Sequence, residues 1–182
     1  MATTRERALD AAVALVGDEG IRALTHARVD GRAGLPKGST SNWFRTRDAL
    51  VAGVITRLAE QERADFAAGE AAVVETPDQL IDGLSGLIAI QTGPFAARTR
   101  ARYALFIEGA GDAKLLAPLL AQRAVFVDFT VALLTAVGAR SPEAAARTLM
   151  AASDGLVLHR VTIDPDAEIR PVIERAVRAC LD

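Results

Sequence analysis

The sequence predicts an all-α fold of about nine helices, three short ones followed by longer ones. Three observations predict it. Apolar residues make up 51% of the 182 and are mostly Ala, Leu and Val, with aromatics at only 4%, which is a helix-forming composition. Along nearly every segment the apolar positions recur at spacings of three and four. No stretch alternates apolar and polar residues between turn signals, as a half-buried strand would.

The first helix spans Arg5 to Val16, with Ala8, Leu9, Ala12, Val13, Leu15 and Val16 on one stripe, and Gly17 and Gly20 close it. Thr25 is the N-cap of the second, with Leu24 and Val29 placed as a hydrophobic staple. That helix is short and ends near Gly34. A third short helix fits Lys37 to Phe44, and a long fourth runs from Asp48, an acid suited to a helix N-terminus, to about Ala68. Thr76-Pro77-Asp78 opens the fifth, with Thr76 as cap and Pro77 in the first turn. Pro94 opens the sixth, which reaches about Gly109, and the seventh continues past Gly111-Asp112 to Val137 with Pro118 in its early part. Ser141-Pro142-Glu143 starts the eighth, ending near Asp164-Pro165, and the last runs from about Asp166 to Leu181.

Several function classes drop out. One cysteine, Cys180, makes no internal disulfide, and with two histidines it builds no Cys/His zinc site. No His/Asp/Glu cluster has metal-ligand spacing, so no metal and no cofactor is expected. His26 and His159 have no partner at catalytic spacing, and no glycine-rich phosphate loop follows a strand, so no enzyme is expected. The start of the chain lacks the apolar core of a signal peptide. The longest uncharged stretch, Gly83 to Ala97, has 15 residues against the 18–20 or so of a membrane span. A cytoplasmic chain with no membrane partner is expected.

Charge is unevenly spread. Residues 1–47 carry eight Lys/Arg and five Asp/Glu, while 48–182 carry thirteen and eighteen, so a net of +3 precedes a net of −5. The informative segment lies in the basic part. From Thr25 to Leu50 a capped helix, a turn at Gly34 and a second short helix follow one another. That second helix carries Lys37, Gly38, Ser39, Thr40, Ser41 and Asn42 and becomes apolar only at Trp43 and Phe44. Such a polar, basic helix suits a DNA major groove, where donors meet base edges and cations meet phosphate.

The same residues resemble the signature of the tetracycline-repressor (TetR) family of transcriptional regulators, A-G-V-S-x-G-T-L-Y-x-Y-F-x-S-K-E-x-L. The matching stretches are Ala33-Gly34-Leu35-Pro36-Lys37-Gly38-Ser39, Trp43-Phe44 and Arg47-Asp48-Ala49-Leu50, with Glu19-Gly20 and Leu24-Thr25 upstream. The likeness is specific over about residues 5–50 and architectural beyond. It implies a helix-turn-helix DNA-binding domain at 1–47 and a helical ligand-binding and dimerisation domain at 48–182. The DNA-facing set it implies is Thr25, Arg28, Pro36, Lys37, Gly38, Ser39, Thr40, Ser41, Asn42, Trp43 and Arg47. Arg5 and Arg28 read equally as phosphate contacts or solvated charge; Trp43 reads equally as core or backbone contact, and Phe44 as core. The chain departs from the signature at Pro36, which stands where Ser usually caps the recognition helix, and at Thr40-Ser41, which replace Leu-Tyr.

For the body, aromatics on the middle helices suggest a cavity for a mostly apolar effector lined by Phe66, Tyr103, Phe106 and Phe126, with Gln122 as a polar contact. The last two helices are amphipathic, and the resemblance implies that they form a homodimer interface, here through Leu149, Ala152, Leu156, His159, Val172 and Ala176. The expected function is thus a homodimeric repressor, bound to double-stranded operator DNA and released by an unknown small molecule. The alternatives are a helical small-molecule-binding or scaffolding protein that has lost DNA binding, and an all-α enzyme using the same cavity.

Overall fold

The computed structural model describes residues 3–68 and 74–181. Among them nine α-helices and one 3-10 turn follow in order: α1 (Thr4–Glu19), the turn (Ile21–Ala23), α2 (His26–Ala33), α3 (Ser39–Trp43), α4 (Arg47–Ala68), α5 (Pro77–Thr92), α6 (Ala96–Glu108), α7 (Ala113–Ala136), α8 (Pro142–Thr162) and α9 (Arg170–Ala179). The chain forms two compact units, residues 1–69 with 97–122, and 70–96 with 123–182.

Helix starts follow the local chemistry. Thr3 and Glu6 form a reciprocal capping box on α1, and Thr76 and Gln79 do the same on α5, with Pro77 in the first turn. Thr25 caps α2 by accepting the Arg28 N–H at 3.4 Å, and Leu24 and Val29 of the staple are buried. Thr46 Oγ1 accepts from the Ala49 N–H at 3.1 Å at the start of α4.

Three helix starts fall later than expected. The third helix, α3, begins at Ser39 and not at Lys37, because Gly38 takes the left-handed conformation (φ 90°), which stops a helix from passing through it. The sixth begins at Ala96, after Gly93. The last begins at Arg170, since Asp164 Oδ1 accepts from the Asp166 N–H at 3.1 Å and holds a turn where helix was expected. The expectation that no helix could cross a membrane also needs correction. By length and composition α7 is long and apolar enough to do so. It nevertheless carries Arg123, paired to Asp154 at 2.7 Å, and Asp128, charges that hydrocarbon disfavours.

The first unit is centred on α1. Ala8, Leu9, Ala12, Val13 and Val16 pack with Leu50, Val54, Ile55 and Leu58 of α4, and Ala101, Leu105, Leu116 and Leu119 extend the same core. Arg57 binds across it to Asp10 with 2.6 and 3.0 Å bonds. In the second unit α5, α8 and α9 pack together, burying Leu80, Ile81, Leu149, Val157, Ile173 and Val177. Arg170 and Arg178 of α9 reach Asp82 and Asp78 of α5, each at 3.1 Å.

Gly17 of α1 lies directly against the backbone of Ala97: a Cβ there would stand 1.9 Å from the Ala97 carbonyl oxygen. Ala is the better helix former by about 1 kcal/mol, but no side-chain rotation relieves a clash with backbone. Gly17→Ala is therefore expected to cost about 1–3 kcal/mol net, read as a lower Tm and a lower urea midpoint.

Candidate nucleic-acid interface

A five-residue helix cannot stabilise itself, because nucleation is unfavourable and only one turn of hydrogen bonds repays it. α3 is held from outside, at both ends, by α2. At its start the Asp30 carboxylate, only 3% exposed, accepts three hydrogen bonds. Oδ2 takes the Gly38 N–H at 2.8 Å, and Oδ1 takes the Thr40 N–H at 2.8 Å and the Thr40 hydroxyl at 2.6 Å. At its end, the Phe44 carbonyl lies 2.6 Å from His26 Nε2. A carbonyl only accepts, so Nε2 carries the proton and donates. His26 and Asp30 are four residues apart and share a face of α2.

Pro36 removes the usual serine cap, and Asp30 takes over that task from the neighbouring helix. Burial pushes the Asp30 carboxyl up, but the Thr40 hydroxyl and the Thr40 and Gly38 amides together hold it below its ordinary value. Gly34 ends α2 in the left-handed conformation (φ 63°), its N–H reaching the Asp30 and Gly31 carbonyls, and so turns the chain toward α3. Phe44 is buried at 5% exposure, as expected of core, while Trp43 is 39% exposed; Arg5 lies over the Phe44 ring at 5.2 Å.

The expected DNA-facing residues separate on this frame. Thr25, Pro36, Lys37, Ser41, Asn42 and Trp43 are exposed, and Gly38 and Ser39 half-buried. Thr40 is a correction: it is fully buried on Asp30 and cannot face a groove. Arg28 and Arg47 are exposed but not free, since Arg28 pairs with Glu19 and Arg47 with Glu108 at 2.9 Å. Lys37, Arg45 and Arg22 have no carboxylate within 4.0 Å among the described residues. Sequence reasoning missed Asp30, His26 and Arg45. An acid buried in a basic segment was the available signal for the first; nothing local marked the bond from His26 to Phe44.

The chain's C-terminal residues 75–182 match the family model described as "Tetracyclin repressor-like, C-terminal domain", more than half of the sequence. The chain belongs to the TetR family. A TetR-family member from Streptomyces coelicolor A3 is 27% identical with a TM-score of 0.74, covering 98% of this chain and 99% of its own. The multidrug-binding protein EbrR, solved with ethidium, is 28% identical with a TM-score of 0.68, covering 98% and 99%. Another Streptomyces coelicolor TetR-family regulator, at 21% identity, TM-score 0.75 and 98% and 94% coverage, shares the fold. No curated protein sequence matches. TetR membership makes this a DNA-binding transcriptional regulator and not an enzyme.

The TetR body holds the remaining expected residues. Phe66, Tyr103 and Phe106 are half-buried and Gln122 buried in the first unit; Phe126 is half-buried in the second. Gln122 Nε2 is buried without a hydrogen-bond partner among the described residues. Burial raises the Glu62 carboxyl against the pull of Arg102, 3.3 Å away, and of Arg98. Of the expected dimer residues, Leu149 and Leu156 require correction: they are 1% and 7% exposed within their own chain and face inward. Ala152 and Ala176 are half-buried, and His159 and Val172 are exposed. Cys180 donates to the Ala145 carbonyl at 3.4 Å, and burial pushes its thiol up, away from thiolate reactivity.

A carboxyl held below its ordinary value stabilises the fold fully above the unfolded value of about 3.9. That contribution disappears as pH falls through the folded value. Wild type is therefore expected to lose stability through this acid window more steeply than Asp30→Asn, which has no carboxyl to titrate there. Urea unfolding across the window checks this; parallel curves would show that Asp30 does not contribute.

Proposed function

We propose that this TetR protein is a homodimeric repressor that binds operator DNA through α2 and α3 and is released by a small, mostly apolar effector. The observation that carries the reading is the clamped α3, which offers polar side chains to solvent beside Lys37 and Arg45, cations unpaired among the described residues. The division of labour is that expected from the sequence, DNA at 1–47 and effector and dimer at 48–182, with the chain acting in the cytoplasm and not at a membrane. The alternative of a scaffolding protein without DNA binding rested on the altered recognition helix. Asp30 supplies the missing cap, which favours the DNA-binding reading.

The effector reading rests on Phe66, Tyr103 and Phe106 of the first unit as apolar lining and on Gln122 Nε2, buried without a partner among the described residues, as a donor for an acceptor on the ligand. EbrR, similar in fold, binds ethidium, a planar aromatic cation, which supports a small aromatic effector for this chain. Coupling between effector and DNA in such systems is typically about 1–3 kcal/mol and reciprocal.

For the dimer, the face to use is the one that α8 exposes. Ala144, Thr148, Ala151, Gly155, Leu158 and Thr162 are all exposed, at alternating steps of four and three, the repeat of a helix-packing seam. On α9, Val172 and Ala179 are exposed beside half-buried Ala176. Two copies would bring these small residues together about a two-fold axis.

Two measurements test the proposal. In a genomic DNA selection at physiological salt the wild type is expected to enrich one sequence. Lys37→Ala and Arg45→Ala should then weaken binding to every sequence alike and each flatten the salt dependence by about one unit. Absence of any enriched sequence would sink the operator reading. In sedimentation, Leu158→Glu should shift the protein to monomer with helix content intact, because like charges would face each other across the axis. A Leu158→Glu dimer as tight as wild type would exclude this face.

A further inference from the structure

On α3, the hydrogen-bonding groups of most side chains are already committed. The Ser39 hydroxyl donates to the Pro36 carbonyl at 2.6 Å and the Ser41 hydroxyl to the Gly38 carbonyl at 2.8 Å. The Thr40 hydroxyl is spent on buried Asp30. A serine whose proton is used can only accept. Asn42 differs: it is exposed, and its amide has no partner among the described residues. A free amide presents a donor and an acceptor side by side, the pattern that pairs with N7 and the N6 amino group of adenine in the major groove.

Bidentate reading also needs a fixed register, and a one-turn helix has none of its own. Here both ends are set from α2, the start by Asp30 and the end by His26. We infer that Asn42 reads an adenine in each operator half-site, and that Asp30 and His26 are positioning residues that hold it in register. The inference rests on the operator-binding reading above. Lys37 and Arg45, as unpaired cations beside the helix, supply the sequence-independent part of the same contact.

The test is a DNA selection on full-length wild type and Asn42→Ala, a surface change that leaves the fold intact. The expected result is that the wild-type site carries one A·T position per half-site that Asn42→Ala no longer selects. Affinity for the adenine-bearing site should fall about 5–150-fold, with the other positions unchanged. For the clamp, Thr40→Val is expected to lower operator affinity roughly tenfold at a temperature where circular dichroism shows it fully folded, and Thr40→Ser, which keeps the hydroxyl, to restore it. An Asn42→Ala site identical to the wild-type site overturns the assignment to Asn42. Thr40→Val binding as tightly as wild type overturns the positioning role. A wild type with no preferred site overturns the operator reading, and this inference with it.

Discussion

The carboxylate of Asp30 is the interaction on which the placement of α3 depends. Three donors converge on it, all from the turn and first residues of α3. Without an acceptor there, two backbone amides and a hydroxyl would be left at a site with little water, each at a cost of about 1–3 kcal/mol. The five-residue helix has no apolar stripe that could hold it instead. A buried charge is normally a liability, and burial does work against this one. It is retained because its lone pairs are filled by donors that belong to the element it must place.

The same logic explains how the basic residues are used. Part of the +3 charge of residues 1–47 is spent within the protein. Arg28 and Arg32 hold the end of α1 through Glu19 and Asp18, and Arg47 ties the start of α4 to Glu108 at the end of α6. Lys37 and Arg45, beside α3, have no such partner among the described residues. Exposed ion pairs of this kind contribute little to stability.

Much of this was readable from the sequence. Caps at Thr25 and Thr76, the staple of Leu24 and Val29, and the core stripe of α1 are local patterns, and local patterns survive folding. The polar surface of Lys37 and Asn42 was readable for the same reason, whereas Trp43, equally readable as core, is 39% exposed. What escaped depends on chain-distant geometry. Arg47 and Glu108 are 61 residues apart, and His26 and Phe44 eighteen. Amphipathicity showed that α8 has a buried and an open side, but not which; Leu149 and Leu156 are apolar enough for either. Only packing against α5 and α9 decides between them.

The contact between Gly17 and Ala97 has a mechanical consequence. Where helices touch through long side chains, a small shift of one is taken up by rotamer changes and the other stays in place. Gly17 has no such cushion, because nothing but a Cα hydrogen separates α1 from the backbone at the start of α6. Within the first unit these two helices act as one stiff piece at that point. Since α1 also carries the contacts to α2, α3 and α4, a displacement of the start of α6 is passed to those helices undamped.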